Sequence, residues 1–120
     1  MTLGALLSVA VLLVAPARAQ TVSISVNHTH MTMTVGQTGE VFVESHGSWP
    51  GIAGGTCGSY PPGKPSDMVA ITNFHQYKLS VGGSLTLFLK AQHPGHCFIR
   101  YSATAKSHTA TAQTDFTVKP

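Results

Sequence analysis

The sequence predicts an all-β domain, a sandwich of two packed sheets built from seven or eight short strands. Apolar and polar residues alternate along most of the chain after residue 20, as they do in strands with one buried face. No stretch there shows the i, i+3, i+4 spacing of an amphipathic helix. Turn signals rich in glycine and proline separate the alternating runs, a pattern typical of a sandwich.

The amino-terminal segment, residues 1–19, predicts a secretory signal peptide. An apolar run over residues 3–14 precedes the small residues Ala17 and Ala19, a pattern typical of a cleavage site. The run is too short for a stable membrane anchor. We therefore expect a secreted or periplasmic protein with no membrane span after cleavage, in which residues 20–120 form a single domain.

The first half of the domain predicts three strands. Their shared apolar faces are Val22, Ile24 and Val26, then Met31, Met33 and Val35, then Val41 and Val43. The first two faces have opposite parity, and a one-residue slip exchanges the two sides of a strand. Residues 27–30 are therefore expected to form a bulge or a crossover between sheet edges. Residues 36–39 predict a turn.

The second half begins with a segment that does not alternate. Residues 46–66 contain six glycines and four prolines and predict one long loop. Alternation then predicts further strands at residues 67–73, 76–81, 84–91, 96–105 and 109–118.

The two cysteines that follow the signal segment, Cys57 and Cys97, predict a disulfide. Exported proteins meet an oxidising compartment, where paired cysteines are the rule. Closing a loop of about forty residues stabilises a domain by roughly 3 to 4 kcal/mol. The alternative is a pair of free thiolates that bind a metal.

Composition excludes several classes of function. Seven Lys and Arg stand against four Asp and Glu, a net charge of +3, and they are scattered along the chain. Such a distribution gives no basic patch for nucleic acid. The sequence holds no GxSxG turn, no HExxH motif and no glycine loop that could cradle phosphate. We expect no catalytic activity and no cofactor.

A resemblance to a known family covers most of the domain. It is carried by the runs Met31–Val43, Leu79–Leu87, Gly95–Tyr101 and Phe116–Val118, which resemble the bacterial immunoglobulin-like domains of surface and periplasmic proteins. The resemblance implies a Greek-key sandwich, a role in adhesion, spacing or assembly, and no catalytic residues.

Two departures distinguish this chain from antibody-type domains. Trp49 precedes Cys57 instead of following it, and no tyrosine stands two residues before Cys97. The disulfide is therefore expected to tie the loop to the penultimate strand rather than to bridge the usual pair of strands.

Candidate partner-binding residues lie in two places. Cys57 would pin the loop and present Trp49 and Tyr60, residue types favoured as interface anchors. The alternative is that Trp49 caps the core.

The second place is an outer face of the sandwich. Phe42, Phe88 and Phe98 have outward parity, and in an immunoglobulin-like topology Phe42 and Phe88 would be neighbours facing solvent. Such a patch indicates a binding domain for a protein or a cell-surface glycan. The alternative is that these are isolated exposed aromatic residues.

A copper or zinc site near the first strand is the alternative function. His28 and His30 would share one face of a strand, close enough to chelate one ion. Met31 and Met33 carry thioethers that suit Cu(I), but their parity points them into the core, which favours packing.

A second arrangement of metal ligands lies in a turn near the penultimate strand. His93, His96 and Cys97 could bind zinc with Cys57 as a fourth ligand. The alternative is a proline-glycine turn that needs no metal.

Overall fold

The computed structural model describes residues 22–47, 49–58, 64–73 and 83–120. These residues form eight β-strands: β1 (Ser23–Val26), β2 (His30–Thr34), β3 (Thr38–His46), β4 (Gly51–Gly55), β5 (Val69–Ile71), β6 (Ser84–Ala91), β7 (Gly95–Ala105) and β8 (His108–Lys119). The all-β prediction is confirmed. The predicted signal peptide, Tyr60 and the strand predicted at residues 76–81 lie outside the described residues.

The strands form two four-stranded sheets. The first sheet has the order β1-β3-β6-β5 and the second has the order β2-β8-β7-β4. Paired strands are antiparallel except β2 and β8, which are parallel. This is the strand order of a Greek-key immunoglobulin-like sandwich whose first strand is divided between the two sheets.

A crossover divides that first strand, as the change in parity predicted. β1 pairs with β3 in the first sheet, whereas β2 pairs with β8 in the second, so residues 27–29 carry the chain from one sheet to the other. Val35, expected to face inward, is 41% exposed. β2 ends at Thr34, and the Val35 amide donates to the Lys119 carbonyl as the chain turns away.

The core lies between the sheets and is formed by inward-facing residues of both. Its largest fully buried members include Tyr101, Phe116, Met33, Leu85, Leu87 and Leu89. Tyr101 is fully buried, and its hydroxyl donates to Thr114 Oγ1 at 2.9 Å. Thr114 Oγ1 in turn donates to the His28 carbonyl at 2.7 Å, which ties the crossover to β8. Burial raises the pKa of Tyr101 to about 12, against a smaller lowering by the bond to Thr114.

The prediction of one long loop over residues 46–66 is wrong, because β4 lies within it. Three of the five residues of β4 are glycine, and its register shifts between Ile52 and Gly54, so the strand shows no alternation. Gly55 has φ +154°, and a Cβ there would overlap the Phe98 carbonyl oxygen. β4 therefore pairs with β7 through close backbone approach, which only glycine permits.

The predicted disulfide between Cys57 and Cys97 is confirmed. The two Cα atoms are 4.8 Å apart, and both cysteines are buried. Cys57 follows β4 and Cys97 lies on β7, so the bond links the segment after β4 to the strand with which β4 pairs. It thus ties the glycine-rich segment to the penultimate strand, as the departure from the antibody pattern implied.

Candidate functional sites on the two outer faces

The outer face of the first sheet exposes an aromatic pair. Phe42 on β3 is 38% exposed and Phe88 on β6 is 47% exposed. Phe42 stands opposite Thr86, and Phe88 stands opposite Glu40, so the two rings are diagonal neighbours rather than side by side. Diagonal side chains on one sheet face lie roughly 7 Å apart, still within reach of aromatic rings. We call this pair the aromatic patch.

Asparagine side chains complete the backbone hydrogen bonding on both sides of the aromatic patch. The Phe42 amide donates to Asn27 Oδ1 at 2.8 Å, just beyond the end of β1. The Phe88 amide donates to Asn73 Oδ1 at 3.0 Å, just beyond β5, and Asn73 Nδ2 donates to the Thr86 carbonyl at 3.0 Å. The backbone beside each ring is therefore satisfied while the ring itself faces solvent.

Charge around the aromatic patch is uneven. Glu40 and Glu44 lie on β3 on either side of Phe42, and both are exposed. Lys90 is exposed on β6, two residues after Phe88. A shallow groove of about 390 Å³ next to Phe88 is lined in part by Glu40. The patch is thus apolar at its centre and acidic along β3.

The outer face of the second sheet is polar and hydrogen-bonded. The Arg100 guanidinium lies 5.0 Å from the centroid of the Phe98 ring, a cation–π contact. Arg100 Nη2 donates to Gln113 Oε1 at 3.2 Å, and Gln113 Nε2 donates to Asp115 Oδ1 at 2.7 Å. Phe98 faces outward as predicted, but on the opposite side of the sandwich from the aromatic patch.

A shallow groove crosses this second face. Its volume is about 260 Å³, and its outward lining side chains are His30, Thr56, His96, Phe98, Asp115 and Thr117. His30 and Phe98 both stand opposite Asp115, one on each neighbouring strand. We call this feature the polar groove; the sequence did not predict it, because its residues come from four separate segments.

The structure does not place His28 and His30 on one strand face. His28 lies in the crossover, and β2 begins only at His30. Among the described residues, no three His, Cys, Asp or Glu side chains are arranged to hold a metal ion. Met33 is buried and Met31 is half-buried against the core, so both methionines pack.

The alternative zinc cluster, which needs cysteine thiolates, is contradicted by the disulfide. Cys57 and Cys97 form the disulfide and supply no thiolate. His93 Nε2 instead lies 3.1 Å from the Pro65 carbonyl, and His96 Nδ1 lies 3.2 Å from Thr117 Oγ1.

Trp49 and the disulfide are separated by β4. Trp49 is 48% exposed and precedes that strand, whereas Cys57 follows it. The disulfide therefore does not hold Trp49 in one loop with Cys57. Trp49 remains an exposed aromatic side chain at the β3–β4 connection.

No protein-family model matches the chain, and no curated protein does. Solved structures do. A chain from the structural study of T cell specificity and activation by the bacterial superantigen toxic shock syndrome toxin-1 is 14% identical, with a TM-score of 0.52, covering 82% of this chain and 99% of that one. A chimeric titin Z1Z2 carrying an exogenous decorin peptide is 17% identical, with a TM-score of 0.51, covering 80% and 93%.

Domains 4 and 5 of the S-layer protein SbsC are similar at 15% identity and a TM-score of 0.48. The match covers 81% of this chain and about half, 51%, of the S-layer chain. In the described part of the chain, no helix has the length and apolar character needed to cross a membrane. The strand order, the disulfide and the two likenesses with TM-scores above 0.5 together show an immunoglobulin-like β-sandwich with one disulfide.

Proposed function

We propose that this chain is a secreted or periplasmic, non-catalytic binding domain that recognises another protein through the aromatic patch. The observation that carries the proposal is the exposure of Phe42 and Phe88 beside a backbone whose hydrogen bonds are already made. Neither ring belongs to the core. Exposed aromatic side chains that lie together are typical of interface anchors.

The free energy that burial of the two rings would contribute to binding supports the proposal. Complete burial of a phenylalanine side chain contributes roughly 1.5 to 3 kcal/mol. Phe42 and Phe88 are 38% and 47% exposed, so the two together offer about 1 to 2.5 kcal/mol to a partner. The upper end of this range reaches that of an interface hot spot.

The surrounding charges indicate the chemistry of the partner. Glu40 and Glu44 lie on both sides of Phe42, so a complementary surface has an apolar centre with Lys or Arg at its rim. Export is supported by the disulfide, which is typical of oxidising compartments, and by the predicted signal peptide.

Site-specific photo-crosslinking in the producing organism tests this proposal. A photoreactive residue at Thr86, opposite Phe42, is expected to form a discrete protein adduct. The same residue at Thr111, exposed on the outward side of β8, is the matched position on the other face and is expected to form none.

Substitutions then connect the adduct to the aromatic patch. Phe42→Ser with Phe88→Ser is expected to abolish it, and Glu40→Lys with Glu44→Lys is expected to weaken it severalfold. Val35→Ser removes an equally exposed apolar side chain outside the patch and should leave the adduct unchanged. Equal adducts from both faces, or an adduct insensitive to the double serine variant, would contradict the proposal.

A further inference from the structure

The polar groove on the second sheet differs from the aromatic patch in composition and position. It is built from outward residues of β2, β7 and β8 and from Thr56, which follows β4. The aromatic patch lies on the other sheet, so a ligand in the groove would not compete with a partner at the patch.

Several groups in the groove are already held in place by the protein. Gln113 donates to Asp115 Oδ1 and is itself held by Arg100, so the carboxylate is fixed while keeping free acceptor positions. Thr56 Oγ1 accepts from the Phe98 amide at 3.1 Å, which leaves its own O–H to donate. The groove thus offers both a fixed acceptor and a fixed donor.

The charges in and near the groove disfavour ionic ligands. An anion would meet the Asp115 carboxylate, which lines the groove. A cation at Asp115 would be repelled by the Arg100 guanidinium, which bonds to the Gln113 side chain that donates to Asp115. A neutral ligand whose groups both donate and accept hydrogen bonds meets neither repulsion, and hydroxyl groups have this property.

Phe98 provides the apolar contact that such a ligand would need. Arg100 lies over the ring, and Phe98 lines the groove together with His96. The C–H face of a sugar ring can pack on an aromatic ring while its hydroxyls reach polar neighbours. At about 260 Å³ the groove is smaller than sites for drug-sized ligands, so it suits a single ring.

We propose that the polar groove binds a neutral saccharide, with one sugar ring on Phe98 and its hydroxyls on Asp115 and Thr56. The groove is shallow and open, so a dissociation constant on the order of 1 mM is expected. This site is separate from the proposed protein-binding face.

Amide NMR on the isotopically labelled, oxidised, full-length mature chain tests the saccharide site. The probes are methyl β-galactoside, methyl α-mannoside and N,N′-diacetylchitobiose. At least one is expected to shift the amide signals of Phe98, Asp115 and Thr117 saturably at millimolar concentrations, with no shift at Phe42 or Phe88. If none of the three shifts these signals, the proposal is overturned.

Variants and competing ligands separate a sugar site from other possibilities. Asp115→Ala and Phe98→Leu should each weaken binding at least fivefold, while Thr111→Ala, on the same face outside the groove, should leave it unchanged. Stronger shifts with lysine amide, acetate or a neutral diglycine amide than with any sugar would overturn the assignment. Phe42→Ser with Phe88→Ser should retain sugar binding, so the two proposals fail independently.

Discussion

The two outer faces of this sandwich use their polar side chains in opposite ways. On the first sheet, Asn27 and Asn73 bond to backbone groups next to Phe42 and Phe88 and leave the rings exposed. On the second sheet, polar side chains bond to each other across β7 and β8, and Phe98 is partly covered by a guanidinium.

The difference indicates how one small fold can present two kinds of surface. Where side chains complete the backbone pairing of an interrupted sheet edge, aromatic residues can remain exposed without a loss of strand order. Where they pair with each other, they form a fixed set of donors and acceptors. The first arrangement suits an apolar protein contact, and the second suits a small polar ligand.

The largest effect is expected from the disulfide, which joins the segment after β4 to β7 in the second sheet. Replacing Cys57 and Cys97 with alanine should lower the free energy of unfolding by about 4 kcal/mol, because the bond closes a loop with a sequence separation of 40. Urea denaturation measures the loss. In the folded variant, amide signals near Thr56 should shift more than those near Phe42; equal shifts on both faces would contradict this difference.

Alkaline pH should act through the buried tyrosine of the second sheet. The pKa of Tyr101 rises from 10.0 to about 12 on folding, so the unfolded chain loses this proton first. The free energy of unfolding keeps this contribution in full below pH 10. It loses the contribution, about 3 kcal/mol, as pH rises through about 12. Denaturation at several pH values measures it. Tyr101→Phe should remove this dependence of the free energy of unfolding on pH, and an unchanged dependence would contradict the role of Tyr101.

Removal of the hydroxyl that joins Tyr101 to the crossover should have a somewhat smaller effect. Thr114→Val keeps the shape but leaves the Tyr101 hydroxyl and the His28 carbonyl without their bond, at a cost of about 2 kcal/mol. Tyr101→Phe, the control, removes one bond only and should cost about 1 kcal/mol. Chemical denaturation compares them; a reversed order would show that this network does not hold the crossover.

The asparagines of the first face should contribute less, and unequally. Asn73→Ala removes two side-chain bonds and should cost about 1 to 2 kcal/mol, whereas Asn27→Ala removes one and should cost about 1 kcal/mol. Thermal and urea denaturation measure both losses. If neither variant loses stability, the asparagines do not complete the sheet edges.

The smallest effect on stability is expected from the hydrogen-bonded side chains Arg100, Gln113 and Asp115 of the second face. Gln113→Ala should change stability by less than about 0.5 kcal/mol, because its bonds are exposed. The Phe98 and Asp115 amide signals should nevertheless shift, since Gln113 positions the carboxylate. Thr111→Ala is the control. A loss of several kcal/mol in Gln113→Ala would mean that the hydrogen bonds of Gln113 to Arg100 and Asp115 stabilise the fold.

Much of the fold could be predicted because most strands bury one face. Alternation located β3, β6, β7 and β8, and a change of parity located the crossover. β4 was missed because its pairing depends on glycine backbone contact, which leaves no pattern of side chains. Val35 was misplaced because the chain turns one residue earlier than its alternation indicates.

The candidate sites were predicted only where it is enough to know which face of a strand a side chain lies on. Parity predicted that Phe42 and Phe88 face outward, but their diagonal offset depends on the register of β3 and β6, which the sequence does not specify. The buried bond between Tyr101 and Thr114 was missed, although Thr114 has inward parity with Phe116 and a buried tyrosine hydroxyl needs a partner.

The most direct test of the central proposal compares affinities for the protein cross-linked at Thr86. Phe42→Ser with Phe88→Ser should weaken its binding about tenfold or more, equivalent to at least about 1.4 kcal/mol, with little change in melting temperature. Val35→Ser should bind within twofold of the unaltered chain. Equal affinities for all three proteins would contradict the assignment of the aromatic patch as the binding surface.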